Sequence, residues 1–539
     1  HQASGTFGEL RSTHFHAGDD YRTQQRVGLP LYAVAEGYIS RLRIQGGGGG
    51  HSLYIDHPNG FTSVYLHMDR FTPEHEARVR EEQYRQKSFE VDIKLEPGDF
   101  PVAKGARIGL AGNTGGSQGP HLHFEIRDTE TQDPINTQLF GLHFPDRIPP
   151  LIQQITIYDL EQDVFNEHTP RRHFKPISSA SGQYRLERNS PIPVNGRFGV
   201  GIQTIDRHNG TSFSHGVYSI ELLLDGDPIS TVVFERLSFA TSGSIHSYTD
   251  YPHFIKNRTR IQKSFKDPNN PVNIFYELKG DGSIDLATDW SGAAQSTRTL
   301  SYRVRDVHGN TSQISIPVRQ DPSYRPDRAA QTGTTWFRYN GENQYEADNL
   351  QIRLPENILY DDLYFNYSQG ARPDQGYSLV QHVHNNLTPL AGAYQLRIRA
   401  DESLPPHLQS KALIVNARGG GSMGGQYENG YVTTQARSFG SFYISVDTVP
   451  PVIRPQNISS GRNMSGQSRI RFQISDNLSG IASYHGYIDG NWVLMEYDPK
   501  NRALWHTFDR SLPAGRHQFR LEVKDGKGNE AVYEASFTR

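Results

Sequence analysis

The chain contains no cysteine. That excludes disulfide scaffolds, cysteine-ligated zinc fingers, iron–sulfur clusters and thiol catalysis. A dominant charge is missing too: 55 Lys+Arg against 58 Asp+Glu leaves −3. A strongly basic nucleic-acid binder and an acidic disordered tail are therefore not expected. No apolar run approaches the roughly 18–20 residues that cross a bilayer as a helix, so the chain is not expected to span a membrane. His1 to Leu10 has neither a charged n-region nor an apolar h-region, and reads as a mature or trimmed start. Long Ala/Leu/Glu/Lys runs are scarce.

What is present points to β structure. With 539 residues there is room for several domains of roughly 100–200 residues each. Tyr 28 and Phe 26 stand beside 51 Gly and 31 Pro, a composition that suits short strands and turns. Asp146-Arg-Ile-Pro149-Pro150 recurs as Asp447-Thr-Val-Pro450-Pro451, and each double proline suits a stiff linker into a first strand. Asp306-Val-His-Gly309-Asn310 likewise recurs as Asp525-Gly-Lys-Gly528-Asn529, and Leu224-Asp225-Gly226 as Ile488-Asp489-Gly490. One β-sandwich design used twice, Ig-like and with an insertion in the first copy, is the reading. The Asp-x-x-Gly-Asn segments are taken as hairpin turns in preference to calcium loops. The polar stretch Arg319 to Arg328 marks a further boundary. The expected organisation is a unit over 1–143, Ig-like β-sandwich with insertion over 144–319, β-sandwich over 320–446, and Ig-like unit over 447–539.

The first unit carries the chemistry: it holds 10 of the 23 histidines. Ser52–Asp56 and Phe61–Met68 flank His57-Pro-Asn-Gly60 as a hairpin. Thr72 is placed to cap a helix beginning at Pro73 and running to about Lys87. Phe89, Val91, Ile93 and Leu95 then alternate as a strand, so 69–100 reads as an ordered insertion, expected to border a substrate groove, with packing on a neighbouring β domain as the alternative.

Three segments hold candidate zinc ligands. In His16-Ala-Gly-Asp19-Asp20 a histidine and a carboxylate lie four apart, and Gly18 argues for a loop or strand end. In Tyr65-Leu-His67 period two would turn Tyr65 and His67 to one face. In His121-Leu-His123-Phe-Glu125-Ile, alternation sends His121, His123 and Glu125 one way and Leu122, Phe124 and Ile126 the other. Two imidazoles and one carboxylate make a zinc set with an open fourth position, the mark of a catalytic site. Spacing does not say which histidine of the 121/123 pair binds metal. Asp19 is expected to be solvated or beside the ligands, and Tyr65 to pack more than to bond an oxyanion.

Other motifs fail on context. Gly115-Gly-Ser117-Gln-Gly119 has the spacing of a serine-hydrolase elbow but is followed by a strand, not a helix. Gly46 to Gly50 lacks the helix a phosphate loop needs. His75-Glu76 is not completed as HExxH, because Val79 stands at the fifth position.

At HxGxD (16–20), YLH (65–67) and GNTGGSQGPHLHFEI (112–126) the chain resembles the lysostaphin/LytM-type zinc endopeptidases, which have the duplicated-hybrid-motif fold. The resemblance covers roughly residues 8–143, with all three segments in order. It implies one Zn²⁺ on His16, Asp20 and His123, His67 and His121 as the catalytic pair, and peptidoglycan peptides as substrate. The expected fold is thus mainly β and multidomain: an antiparallel zinc-peptidase domain, then three β-sandwich units that position it or bind envelope partners. The expected place is a bacterial cell envelope, periplasm or outer surface, or outside the cell. Two rivals stand beside this: an inactive adaptor of other wall hydrolases, and an adhesin or glycan-binding assembly run by the β units.

Overall fold

The computed structural model describes residues 2–161, 164–188, 190–290, 296–327, 329, 333–509 and 512–539. His1 and Arg328, the ends of two stretches singled out above, lie outside the described residues. The architecture is mostly β, in several separate sheets.

The N-terminal sheet is built from eleven strands. They are β1 (Ala3–Gly5), β2 (Asp19–Arg22), β3 (Pro30–Tyr32), β4 (Gly37–Ile44), β5 (His51–Asp56) and β6 (Phe61–Phe71), then β7 (Val91–Lys94), β8 (Pro101–Val102), β9 (Arg107–Ala111), β10 (His121–Asp128) and β11 (Pro134–Ile135). The main path runs β1-β2-β10-β6-β5-β4-β7, and every pairing within it is antiparallel. Alternation does the work expected of it: Phe124 and Ile126 of β10 enter the core with Ile39, Leu42, Leu53, Ile55 and Tyr65, while His121, His123 and Glu125 keep to the other face.

One helix, α1 (Pro73–Gln86), sits in the insertion after β6. Thr72 is its N-cap residue, but its hydroxyl meets His75 Nδ1 at 2.8 Å instead of a backbone N–H. Glu76 reaches back to accept from Phe71 N at 2.7 Å, which satisfies a donor at the helix entry. Phe89, Val91, Ile93 and Leu95 all bury in the core together with Leu494 from the far end of the chain. The insertion packs on a neighbouring β segment, the alternative to a groove wall. Its strand β7 closes the far edge of the sheet, separated from β6 by β5 and β4, and Tyr84 of α1 stacks edge-on against Trp492 with centroids 5.2 Å apart. An apolar strand needs a second layer to bury it, and the C-terminal segment supplies that layer.

The later strands form further sheets that stay within successive stretches of sequence. Residues 151–320 hold one five-stranded and one eight-stranded sheet, 335–446 hold three, and 452–538 hold two. The first stretch shares a core with the N-terminal segment: Phe7 and Phe15 bury among Ile220, Phe234, Ile245 and Tyr248. Each such aromatic contributes roughly 1.5–3 kcal/mol. The sheet bearing the histidines is thus braced from both sides.

Candidate metal centre

His16 ends the loop before β2 and Asp20 lies inside β2, which pairs with β10 so that Asp20 sits opposite His123. Gly18 is forced by this crossing: a Cβ there would come within 2.2 Å of Phe124 O. One ligand atom from each of His16, Asp20 and His123 lies within 4.8 Å of the others, and all three side chains are buried. The edges are tight. His16 Nε2 is 3.1 Å from Asp20 Oδ1 and 3.0 Å from His123 Nδ1, and His123 Nδ1 is 2.9 Å from Asp20 Oδ1. Tetrahedral zinc with bonds near 2.0–2.1 Å sets neighbouring ligand atoms roughly 3.3 Å apart, so the triangle is close to the size a zinc ion demands.

The opposite ring nitrogens explain the orientation. His16 Nδ1 donates to Thr6 O at 2.9 Å, and His123 Nε2 donates to Glu125 Oε1 at 2.8 Å. Each imidazole therefore turns its other nitrogen toward Asp20, the pattern by which acceptors around a site fix a metal-binding tautomer. Two such lone pairs 3.0 Å apart repel each other without a positive charge between them. The donor set fits a divalent cation.

Two arginines support the carboxylates. Arg11 donates to Asp20 Oδ2 at 2.8 Å and Arg127 to Glu125 Oε2 at 2.6 Å. Burial opposes ionisation of Asp20, but the facing His16, His121 and His123 outweigh it and hold the carboxyl well below its usual range. His123 is buried as well, yet carboxylates at both ring nitrogens push it up to about 9. Without metal the cluster thus keeps a proton where a cation would sit, and metal binding would release it.

His67 and His121 flank this triangle. Their rings lie 4.9 Å apart, and His67 is 6.1 Å from the His123 ring. His67 Nδ1 donates to Thr114 O at 2.9 Å and His121 Nδ1 to Gly119 O at 2.8 Å. Both leave Nε2 facing the site; that of His121 is 3.4 Å from Asp20 Oδ1. Burial first, then the neighbouring His123 and His121, pull His67 down to about 3, so its imidazole is neutral near neutral pH.

Strict alternation fails at His67. Tyr65 does not share its face: the tyrosine packs edge-on against Phe124 at 5.2 Å, and its hydroxyl accepts from Val34 N at 3.0 Å. The cause is a β-bulge. Between the pairs Leu53↔Tyr65 and His51↔Met68 strand β6 spends one residue more than β5, and His67 takes φ +59°. The extra residue reverses the side of the sheet, so His67 joins the histidines while Tyr65 stays in the core. Asp19 is not solvated either. It is fully buried, accepting from Phe7 N at 3.0 Å and from the Thr137 hydroxyl, and burial raises it to about 6.

Other residues at the site escaped the sequence reading. Arg127 had a signal, since the alternation of 121, 123 and 125 continues to 127. Lys500 had none. Its Nζ donates to Gly115 O at 3.2 Å, to Ser117 O at 3.1 Å and to Asn113 O, clamping the loop between β9 and β10. That loop also lies against the 46–50 turn, where Gly116 N donates to Gly48 O at 2.8 Å. Backbone meets backbone there: a Cβ on Gly115 would fall 2.3 Å from Gly50 N.

The chain is similar to known proteins in this region. The model for peptidase family M23 matches residues 90–137, and that for a Zu5-like domain matches residues 334–447. An uncharacterized metalloprotease of Haemophilus influenzae is 30% identical over 127 residues, 23% of this chain and 22% of that protein. The DD-carboxypeptidase/endopeptidase Mpg of Neisseria meningitidis serogroup B is 31% identical over 137 residues, 25% of each chain. The peptidoglycan DD-endopeptidase ShyB of Vibrio cholerae is 31% identical over 111 residues, 21% of this chain and 20% of that one. The chain spans about a fifth to a quarter of the length of these curated relatives. An antiparallel β unit with a histidine–carboxylate centre is the class that fold and site define. The N-terminal part of the chain carries a peptidase family M23 (LytM-type) domain.

Proposed function

We propose that this protein is a zinc-dependent endopeptidase that hydrolyses peptide bonds of bacterial cell-wall peptidoglycan, in cross-links or stem peptides, and works in the cell envelope or outside the cell. The observation that carries the reading is the convergence of five side chains from three strands and the loop before β2, each imidazole pinned at one nitrogen and turned toward the site with the other. His16, Asp20 and His123 are the zinc ligands of this proposal. Zinc held there would polarise a scissile carbonyl and lower the pKa of a water molecule toward neutrality. His67 and His121 bring Nε2 to the same pocket. Neutral, such a nitrogen takes a proton from the attacking water; protonated, it donates to the developing negative oxygen or to the leaving amine.

The remaining β units, taken as 144–319, 320–446 and 447–539, position the peptidase unit or hold envelope partners. Lys500 on the 112–118 loop and Trp492 on α1 support a positioning role for the last of them.

Digestion of defined cross-linked muropeptides, with products identified by mass, tests the proposal. One peptide bond should be cut, a chelator should stop the reaction, and added zinc should restore it. A zinc-replete protein that leaves every cross-link and stem peptide intact would overturn it.

A further inference from the structure

Outside the peptidase centre, acidic side chains meet at two joints, and the two are built alike. At the first, Asp146 precedes the double proline, Asp206 follows the strand Arg197–Ile205, and Asp306 opens the turn between Thr297–Arg305 and Thr311–Gln320. At the second, Asp447 precedes the double proline, Asp476 follows the strand Arg469–Ser475, and Asp525 ends the strand Arg516–Asp525 at its hairpin turn. The bonds at the double prolines and at the hairpin turns correspond, while the second joint adds Ser479 N to Asp447 and Leu478 N and Gly480 N to Asp476. Asp146 Oδ1 accepts from Ile148 N at 3.0 Å as Asp447 Oδ1 accepts from Val449 N at 3.3 Å. Asp306 accepts from His308 N, Asn310 N and Asn310 Nδ2, and Asp525 from Lys527 N, Asn529 N and Asn529 Nδ2.

These bonds aim the carboxylates and leave particular oxygens over. Asp206 is 1% exposed, and its Oδ1 has no hydrogen-bond partner. Asp146 Oδ2 and Asp476 Oδ1 are likewise shut from solvent without a partner. One ligand atom of Asp146 lies within 4.8 Å of those of Asp206 and His208, and again of those of Asp306 and His308; Asp447, Asp476 and Asp525 meet within the same distance. Among the described residues no lysine or arginine forms an ion pair with any of the six aspartates; Asp206 lies 3.5 Å from His208, and Lys527 stands near Asp447 and Asp525 beyond ion-pair distance. A buried carboxylate oxygen with neither donor nor cation is costly, and a fold that places it there twice calls for a positive charge.

We infer that each joint binds a divalent cation of the calcium class, the first through Asp146 with Asp206 and His208 or with Asp306 and His308, the second through Asp447, Asp476 and Asp525, locking a linker to the β unit that follows. Carboxylate oxygen is the donor both copies share, and the second copy offers no nitrogen, which selects a hard cation. The first joint bears on the peptidase unit. Phe144, two residues before Asp146, stacks on His208 at 5.6 Å and meets Tyr21, the neighbour of Asp20, at 5.0 Å. A cation there would hold the peptidase sheet in place against the second unit. This inference stands apart from the proposed activity.

The test uses the full chain, first saturated with zinc, then dialysed to equilibrium against calcium up to about 5 mM, a range that covers extracellular calcium modules. Two calcium ions per chain should bind and raise the melting temperature, with magnesium much weaker. Asp206→Asn and Asp476→Asn keep side-chain shape and should each remove one ion; the double variant should remove both along with the thermal shift. Should a variant not fold, the wild-type count still decides. No calcium uptake by the wild type, uptake of zinc alone at the joints, or a count of two that survives the double substitution would overturn the inference.

Discussion

The histidine centre and the aspartate joints solve the same electrostatic problem with different atoms. At residues 16, 20 and 123 two imidazole nitrogens and one carboxylate form the triangle, and each imidazole is turned by an acceptor behind it. At the joints the carboxylates are turned by backbone N–H groups of tight turns. Nitrogen with carboxylate behind it suits zinc, whereas the all-carboxylate second joint suits calcium. The surroundings differ as well. Two further histidines overlook the first centre, so a bound ion would have chemistry to assist; the joints carry linkers and would only be braced.

The strongest way to break the comparison is to exchange the losses. His123→Ala or Asp20→Ala should abolish bound zinc and cleavage together while leaving calcium uptake intact, read by metal analysis and muropeptide digestion. Full zinc in either variant would remove the ligand assignment. Next in size, His67→Ala and His121→Ala should keep zinc and lose about 10²–10⁴-fold in turnover, because each removes a proton-transfer partner and not a ligand. Rates near the wild type would contradict their roles. Glu125→Gln removes the charge behind His123 and the partner of Arg127. It should weaken zinc about 10–100-fold in competition titrations with a chromogenic chelator. The smallest effect belongs to Tyr65→Phe. It leaves Val34 N without its acceptor, so stability should fall by about 1 kcal/mol in denaturant titration, with turnover unchanged. A large loss of turnover would mean that Tyr65 touches substrate after all.

Residues that act through their own neighbours in sequence were legible. Period two put His121, His123 and Glu125 on one face, Thr72-Pro73 marked the start of α1, and the spacing from His16 to Asp20 was that of a loop entering a strand. The insertion's order is legible in the sequence and its surroundings are not: four alternating apolar residues say that a strand is buried, not what buries it. Leu494 and Trp492 do so from more than 390 residues downstream.

The same division runs through the whole molecule. Sequence by itself determined the β character, the helix, the ligand types and the two repeated aspartate motifs, because backbone preference and side-chain periodicity are local properties. Tertiary structure decided the rest. The bulge that turns His67 into the site exists only where β6 pairs with β5, Lys500 reaches the 112–118 loop across 385 positions of sequence from Gly115, and the aspartates of each joint come from segments far apart in sequence. Long-range pairing brings such groups together, and no periodicity in the chain records which distant carbonyl or carboxylate a side chain will meet.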